Sequence, residues 1–337
     1  MISKIFYNKK VLVTGGSGSI GSGIVRLLLK KKCNVIRVLS NDENGIYELS
    51  EKLNDINKKL TIKMMHDKIR YLIGDIRDLK RCIAATRDID IVIHAAAMKH
   101  VPICEYNKNE TFKTNVLGTR NLIKASLKNK VKKFLLISTD KAADPTTIMG
   151  KSKLQAEKYV ILANKHKKTA FAVIRFGNII FSRGSVIFKF IKQIKLGRTL
   201  TVTNSNVSRF FVPIKTAVQG IFEGIKVMNG GEIFILKKMP AFKILDLAKA
   251  IKKIFKKNNK IRFMGLREGE KHYDKIIAKK ENLINHEKTN KLALVSFGHS
   301  KKKIKISTDS RVAYHLPIIE IKKILIREKV INFYSKI

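Results

Sequence analysis

Three stretches of this 337-residue chain hold residue types able to do chemistry. The first is Thr14-Gly15-Gly16-Ser17-Gly18-Ser19-Ile20-Gly21, in which Gly15, Gly18 and Gly21 keep a GxxGxxG spacing. Glycine allows a tight turn and lets a pyrophosphate approach the backbone. A helix starting there offers free N–H groups and the positive end of its dipole to the phosphates. Ser17 and Ile20 lie inside this turn and are counted with its glycines as cofactor-facing residues. The second stretch is Ser138-Thr139-Asp140-Lys141-Ala142, which on residue types alone reads first as a solvated loop pair. The third holds Met149 and Lys153, four apart and so on one helical face.

These residues need a scaffold, and the first half of the chain predicts one. Short β-branched runs alternate with amphipathic segments, the pattern of an α/β doubly wound parallel sheet, the Rossmann type. Strands are expected at 11–14, 35–39, 69–73, 91–93, 134–137 and 171–174, with helices at 20–30, 46–57, 79–86, 109–128 and 148–165. Residues 58–68 read as a loop longer than the minimum. The glycine turn then falls between the first strand and its helix, where a dinucleotide is held. Ser40-Asn41-Asp42 follows the second strand, where the adenosine ribose is read. Asp75-Ile76 follows the third, where adenine is flanked, and Ala95-Ala96-Ala97 follows the fourth, where small residues let backbone approach the cofactor.

Beyond Gly177 the rhythm changes. Helices are expected at 186–196, 215–228, 243–255 and 318–326, strands near 200–203 and 232–236, and a poorly patterned Lys/Asn-rich tail over 282–305. The expected division is an NAD(P)-binding domain over 1–177 with return segments near 215–238, and a smaller C-terminal substrate-binding lobe from 178–214 and 239–337.

The charge is lopsided, 70 Lys+Arg against 26 Asp+Glu for a net +44, but it is spread through every segment. That spread reads as compositional bias and steers anionic ligands; it does not mark a specific nucleic-acid surface. Three cysteines at no motif spacing, no secretory signal and no run of about 18 apolar residues predict a cytoplasmic protein without a membrane span. No metal site is expected.

With these pieces in order, the sequence resembles the extended short-chain dehydrogenase/reductases, and within them the CapD-like polysaccharide-biosynthesis group, the UDP-N-acetylglucosamine 4,6-dehydratases. The resemblance rests on His94-Ala95-Ala96-Ala97-Met98-Lys99-His100-Val101-Pro102, Asn115-Val116-Leu117-Gly118-Thr119, Ser138 to Ala142 and Met149-Gly150-Lys151-Ser152-Lys153. It continues through Arg175-Phe176-Gly177-Asn178, Arg183-Gly184-Ser185-Val186, Ser208-Arg209-Phe210 and Arg267-Glu268-Gly269-Glu270-Lys271, and more loosely Ser307-Thr308-Asp309-Ser310.

The resemblance implies Asp140 as acid, Lys141 as base with a lowered pKa supplied by burial and Lys153, and Thr139 on the sugar C4 hydroxyl. It implies Lys153 on the nicotinamide ribose of NADP or NAD. It also implies Lys99, Asn178, Val186, Arg209, Arg267 and Glu270 on a UDP-sugar substrate, and a homo-oligomer. Met149 stands where most of the superfamily has a catalytic tyrosine; its thioether exchanges no proton, and it marks a methionine-type subset. Asp140 is then the candidate acceptor of the C4 proton. Asn41 stands where NADP-using relatives often have arginine, so NAD and NADP both stay open. The expected function is a UDP-N-acetylhexosamine 4,6-dehydratase for surface-glycan synthesis. The rival readings are a UDP-sugar 4-epimerase and a catalytically silent NAD(P)- or polyanion-binding protein.

Overall fold

The computed structural model describes residues 5–56, 68–297, 304, 306–328 and 330–331. The expected long loop at 58–68 lies outside these residues except for Lys68. The chain begins with β1 (Lys10–Thr14), α1 (Ser19–Leu29), β2 (Val35–Ser40), α2 (Glu43–Ile56), β3 (Ile69–Ile73), α3 (Leu79–Thr86) and β4 (Ile91–His94). After the short α4 (Val101–Tyr106) and α5 (Lys108–Phe112) come α6 (Gly118–Lys128), β5 (Lys133–Thr139), α7 (Ile148–Leu162) and β6 (Ala170–Phe176). These strands pair in parallel, with β1 between β2 and β4. The strand order therefore reverses beside β1, and a crevice opens at the carboxyl ends.

The sheet is covered on both faces, which explains its near-continuous apolar strands. Val11 and Val13 pack into one core with Ile24, Val25 and Leu28 of α1, whereas Leu12 faces the other with Val92 and Phe134. The buried Gly21, Ile24, Val25 and Leu28 repeat at three and four along α1, so one stripe of that helix meets the sheet. Each large aliphatic of the stripe contributes roughly 1.5–3 kcal/mol by leaving water.

The expected helix over 109–128 is not continuous. Residues Lys113–Leu117 form a π-helical segment between α5 and α6. The side chain of Asn115 bonds both backbone groups of Met98 (2.8 and 3.0 Å) and donates to Ser152 Oγ at 2.9 Å. A π-bulge of this kind commonly marks a functional position.

The later segments form β7 (Asn178–Ile179), α8 (Val186–Lys195), β8 (Leu200–Val202), β9 (Ser208–Val212), α9 (Ile214–Val227) and β10 (Ile233–Leu236). They end with β11 (Ala241–Lys243), α10 (Ile244–Phe255), β12 (Ile261–Phe263), β13 (Glu281–Asn285), β14 (Leu292–Phe297) and α11 (Ile318–Arg327). Strand β10 joins β6 in parallel, so this segment returns to the first layer. A separate core around Ile187, Phe190, Phe242, Leu247 and Ile251 holds α8, β11 and α10 together.

Residues 281–297 correct the expectation of an unpatterned tail within the substrate lobe. Strand β14 pairs antiparallel with β10 and β13 with β14, extending the main sheet to nine strands in the order β13-β14-β10-β6-β5-β4-β1-β2-β3. The cause is a buried ion triad. Arg175 of β6, 0% exposed, meets Glu157 of α7 and Glu281 of β13, each at 2.7 Å. Among the described residues no helix is long and apolar enough to cross a membrane.

Candidate active site

A groove of about 830 Å³ runs along the carboxyl ends of the strands. Every candidate residue named from the sequence lines it, with the exception of Asp140. At one end Gly15 takes a φ of +63°, and a Cβ there would stand 2.7 Å from the Ala96 backbone. Glycine at 15 is thus dictated by both the left-handed backbone and the close approach of the Ala95-Ala96 segment. Helix α1 starts at this turn with Gly18 as N-cap and no side-chain cap, leaving its first N–H groups for a ligand. The Ser17 and Ser40 hydroxyls are 2.8 Å apart, and Asn41, Asp75 and Ile76 complete the same wall. These features fit a dinucleotide, with pyrophosphate on α1 and adenosine beyond β2.

Ser40, Asn41 and Asp42, expected at the ribose, all line this end of the groove, and the charged one is Asp42. It accepts from Gly45 N at 2.9 Å and pairs with Arg183 at 2.9 Å. Arg183 comes from the distant loop before α8, where its N donates to Ser19 Oγ and its carbonyl accepts from Lys99 Nζ at 2.6 Å. Lys99, expected on the substrate, lines the groove and gives one of its three donors to that loop.

His94, at the end of β4, is fully buried between two threonines. The Thr119 hydroxyl donates to Asn115 O, so it accepts from His94 Nε2 (3.0 Å), and Nδ1 accepts from Thr14 Oγ1 (2.7 Å). Burial, then the Lys153 charge, lowers its pKa to about 3.

Strand β5 ends at Thr139, and Asp140–Ala142 turn in a single 3₁₀ loop that sets the candidate acid and base side by side. Asp140 Oδ1 accepts from Thr139 Oγ1 at 2.8 Å and from Lys141 Nζ at 3.0 Å. Its Oδ2 is buried without a partner among the described residues. Burial, reinforced by the charge of Asp274, raises the Asp140 carboxyl to about 6. Asp140 lines a second cavity of about 580 Å³, and Lys141 lies between the two cavities.

The expected lowered pKa of Lys141 is overturned. Burial does push it down, but Asp140 and Asp274 together outweigh burial and the net shift is upward. Lys153 is lowered instead, taken to about 8 by burial, with Glu157 opposing. Its Nζ donates to Ile137 O at 2.6 Å, and Met149, one turn earlier on α7, is buried beside the groove.

Arg209 also departs from expectation. Its five N–H donors face Asp274, Ser208 O, His272 O, Lys271 O and Glu270. Holding a diphosphate would mean surrendering one of them. Glu270 is engaged by Arg209 and Thr203, Asn178 Nδ2 donates to Phe210 O, and Val186 opens α8. Arg267 is exposed at the groove and is the better-placed cation.

Asp274 and Asn115 are the functional-looking residues that the sequence reading left without a role. Asn115 lay inside a quoted motif. For Asp274 the only local signal was an acidic residue four positions after Glu270 in a basic chain.

Residues 11–296 match the family described as polysaccharide biosynthesis protein. A UDP-N-acetylglucosamine 4,6-dehydratase (inverting) of Campylobacter jejuni is 40% identical over 295 residues, covering 86% of this chain and 84% of the relative. A UDP-glucose 4-epimerase of Rickettsia bellii is also 40% identical, over 284 residues, covering 82% and 80%. Among solved structures, that of Pen from Bacillus thuringiensis superposes with a TM-score of 0.86 at 36% identity, covering 96% of this chain and 98% of that one.

Proposed function

The chain belongs to the polysaccharide biosynthesis protein family, enzymes of the extended short-chain dehydrogenase/reductase type, and we propose that it is a UDP-N-acetylhexosamine 4,6-dehydratase. The observation that carries this reading is the juxtaposition at the end of β5. Thr139, a carboxyl with a raised pKa and a lysine amine stand together at the edge of a groove shaped for a dinucleotide.

A bound nicotinamide, NAD or NADP, would take a hydride from sugar C4 and return it to C6. Thr139 holds the C4 hydroxyl. Asp140, ionised above about pH 6, takes the C4 proton, since Met149 has no proton chemistry. The resulting ketone acidifies C5–H, Lys141 removes that proton, and Asp140 delivers its own to the departing C6 hydroxyl, which leaves as water. Lys141 then reprotonates C5. The free protein holds Lys141 as an ammonium between two carboxylates, so it becomes a base only once that proton has passed to solvent, which the sugar favours by separating the amine from one of them. Lys153 and the α1 N-terminus hold the cofactor, and Arg267 with Asn178 and Val186 face the nucleotide. The 4-keto-6-deoxy product feeds surface-glycan synthesis.

The Rickettsia relative favours a second reading, a UDP-sugar 4-epimerase, which returns the hydride to C4 and leaves C6 intact. An NMR time course with UDP-N-acetylglucosamine in deuterated water separates the two. A C6 methyl on a 4-keto sugar supports the dehydratase, and its C5 coupling tells retention from inversion. A C4-epimerised sugar with an intact C6 would overturn it.

A further inference from the structure

Among the described residues, Asp274 is the one ion-pair partner of Lys141 that this reaction leaves idle. It is 5% exposed, and a buried carboxylate is costly unless cations meet it. Two do: its Oδ2 lies 3.3 Å from Lys141 Nζ and 3.4 Å from Arg209 Nε. Its backbone is fixed as firmly. Asp274 N donates to Ser310 Oγ (2.9 Å), Ser310 N donates back to Asp274 O (2.9 Å), and the Ser310 hydroxyl reaches Ser208 O at 3.1 Å. Arg209, next to Ser208, spends most of its donors on residues 270–274. Two distant pieces of chain, 208–209 and 310, are thus used to hold one carboxylate against the Lys141 amine.

We propose that Asp274 is a positioning residue for the reaction: it fixes the Lys141 amine across from Asp140, and its charge apportions protons between that amine and the Asp140 carboxyl. The inference rests on the dehydratase reading. The groups facing the pair are Thr139 on the Asp140 side, Asn178 and Asp274 at the amine, and Arg209 behind Asp274. A negative charge beside Asp140 favours its protonated form, and the same charge favours the ammonium of Lys141. Both directions are found: Asp274 acts to raise Asp140 and to raise Lys141, while burial would raise Asp274 itself but Lys141 and Arg209 outweigh it and hold the carboxyl below the usual range.

The test compares wild type, Asp274→Asn and Asp274→Glu by carbon-13 titration of Asp-labelled carboxyls, with Asp140→Asn to assign the signal, and by kcat against pH. In Asp274→Asn the Asp140 titration should fall by about one pH unit or more. The acid limb of kcat should move with it, and kcat should drop roughly 10- to 100-fold with KM nearly constant. Asp274→Glu, which keeps the charge, should restore the titration. An unmoved Asp140 titration in folded Asp274→Asn overturns the proposal, as does a wild-type rate profile. If that variant does not fold, Ser310→Ala loosens the same carboxylate, and an unchanged profile there is equally decisive. The titration needs no substrate, so a wild type inert toward UDP-sugars would defeat the dehydratase reading without masking this result.

Discussion

Lys141 Nζ lies 3.3 Å from Asp274 Oδ2, although the two residues are 133 positions apart in the chain. The neighbouring pair Asp140–Lys141 is local, set by one turn after β5, but its electrostatic balance is imported from a far segment. An acid–base pair placed by sequence adjacency is therefore tuned by tertiary structure.

The pair itself should be indispensable. Lys141→Ala or Asp140→Asn is expected to cut dehydration at least 100-fold, the usual scale for a lost acid or base. Cofactor binding should survive, because neither side chain touches the glycine turn. Product formation by NMR and NAD(P)H fluorescence titration read the two effects separately. Full turnover in either variant would remove the mechanism.

Met149 should matter far less. Met149→Leu keeps volume and apolarity at a buried site, so a cost below about 1.5 kcal/mol is expected. Its rate should stay within about tenfold of wild type, since no proton passes through the thioether. A loss as deep as that of Lys141→Ala would show that the sulfur takes part in the reaction.

Acid should destabilise the fold through His94. Its pKa is depressed to about 3 in the folded protein against an ordinary 6.5, so it stays neutral while the unfolded chain takes up a proton. That stability is fully present above pH 6.5 and is lost as pH falls towards 3, at up to about 1.4 kcal/mol per pH unit. Urea unfolding at pH 7.5 and 5.5 should show a smaller loss for His94→Gln than for wild type. Equal losses would assign the acid sensitivity elsewhere.

The buried triad gives a stability prediction of another kind. Glu281→Ala keeps the Arg175–Glu157 pair but removes two bonds to the guanidinium (2.7 and 3.0 Å), and leaving those buried donors unmet typically costs about 1–3 kcal/mol. Denaturant midpoints measure this. A cost below about 1 kcal/mol would mean that water replaces the lost carboxylate.

How much of this was legible in the sequence depended on where the determining contacts lie. The strand over 91–93 shows in the sequence because a sheet covered on both faces buries every residue, and the helix over 79–86 because Cys82 and Ala85 pack against it. Strand β13 does not, because the residue it buries ahead of Leu283 is a charged one, Glu281, whose reason is Arg175 on another strand. The π-helical segment at 113–117 hides in a good helical pattern, since its cause is Asn115 reaching the backbone of Met98. The glycine turn was readable as local backbone chemistry. Lys141 was readable as a residue but not in its protonation, which depends on Asp274.

The reach of Arg175 also bears on the order in which the chain assembles. Its first partner, Glu157, is 18 residues away, but Glu281 follows 106 residues later. During synthesis β6 and then β10, which pairs with it, emerge before β13, so until β13 arrives Arg175 has only Glu157 of its two carboxylate partners. Contacts of such separation slow folding, and an unpaired sheet edge is a point where a misplaced strand competes. The β13–β14 hairpin is therefore expected to close that end of the sheet late in folding.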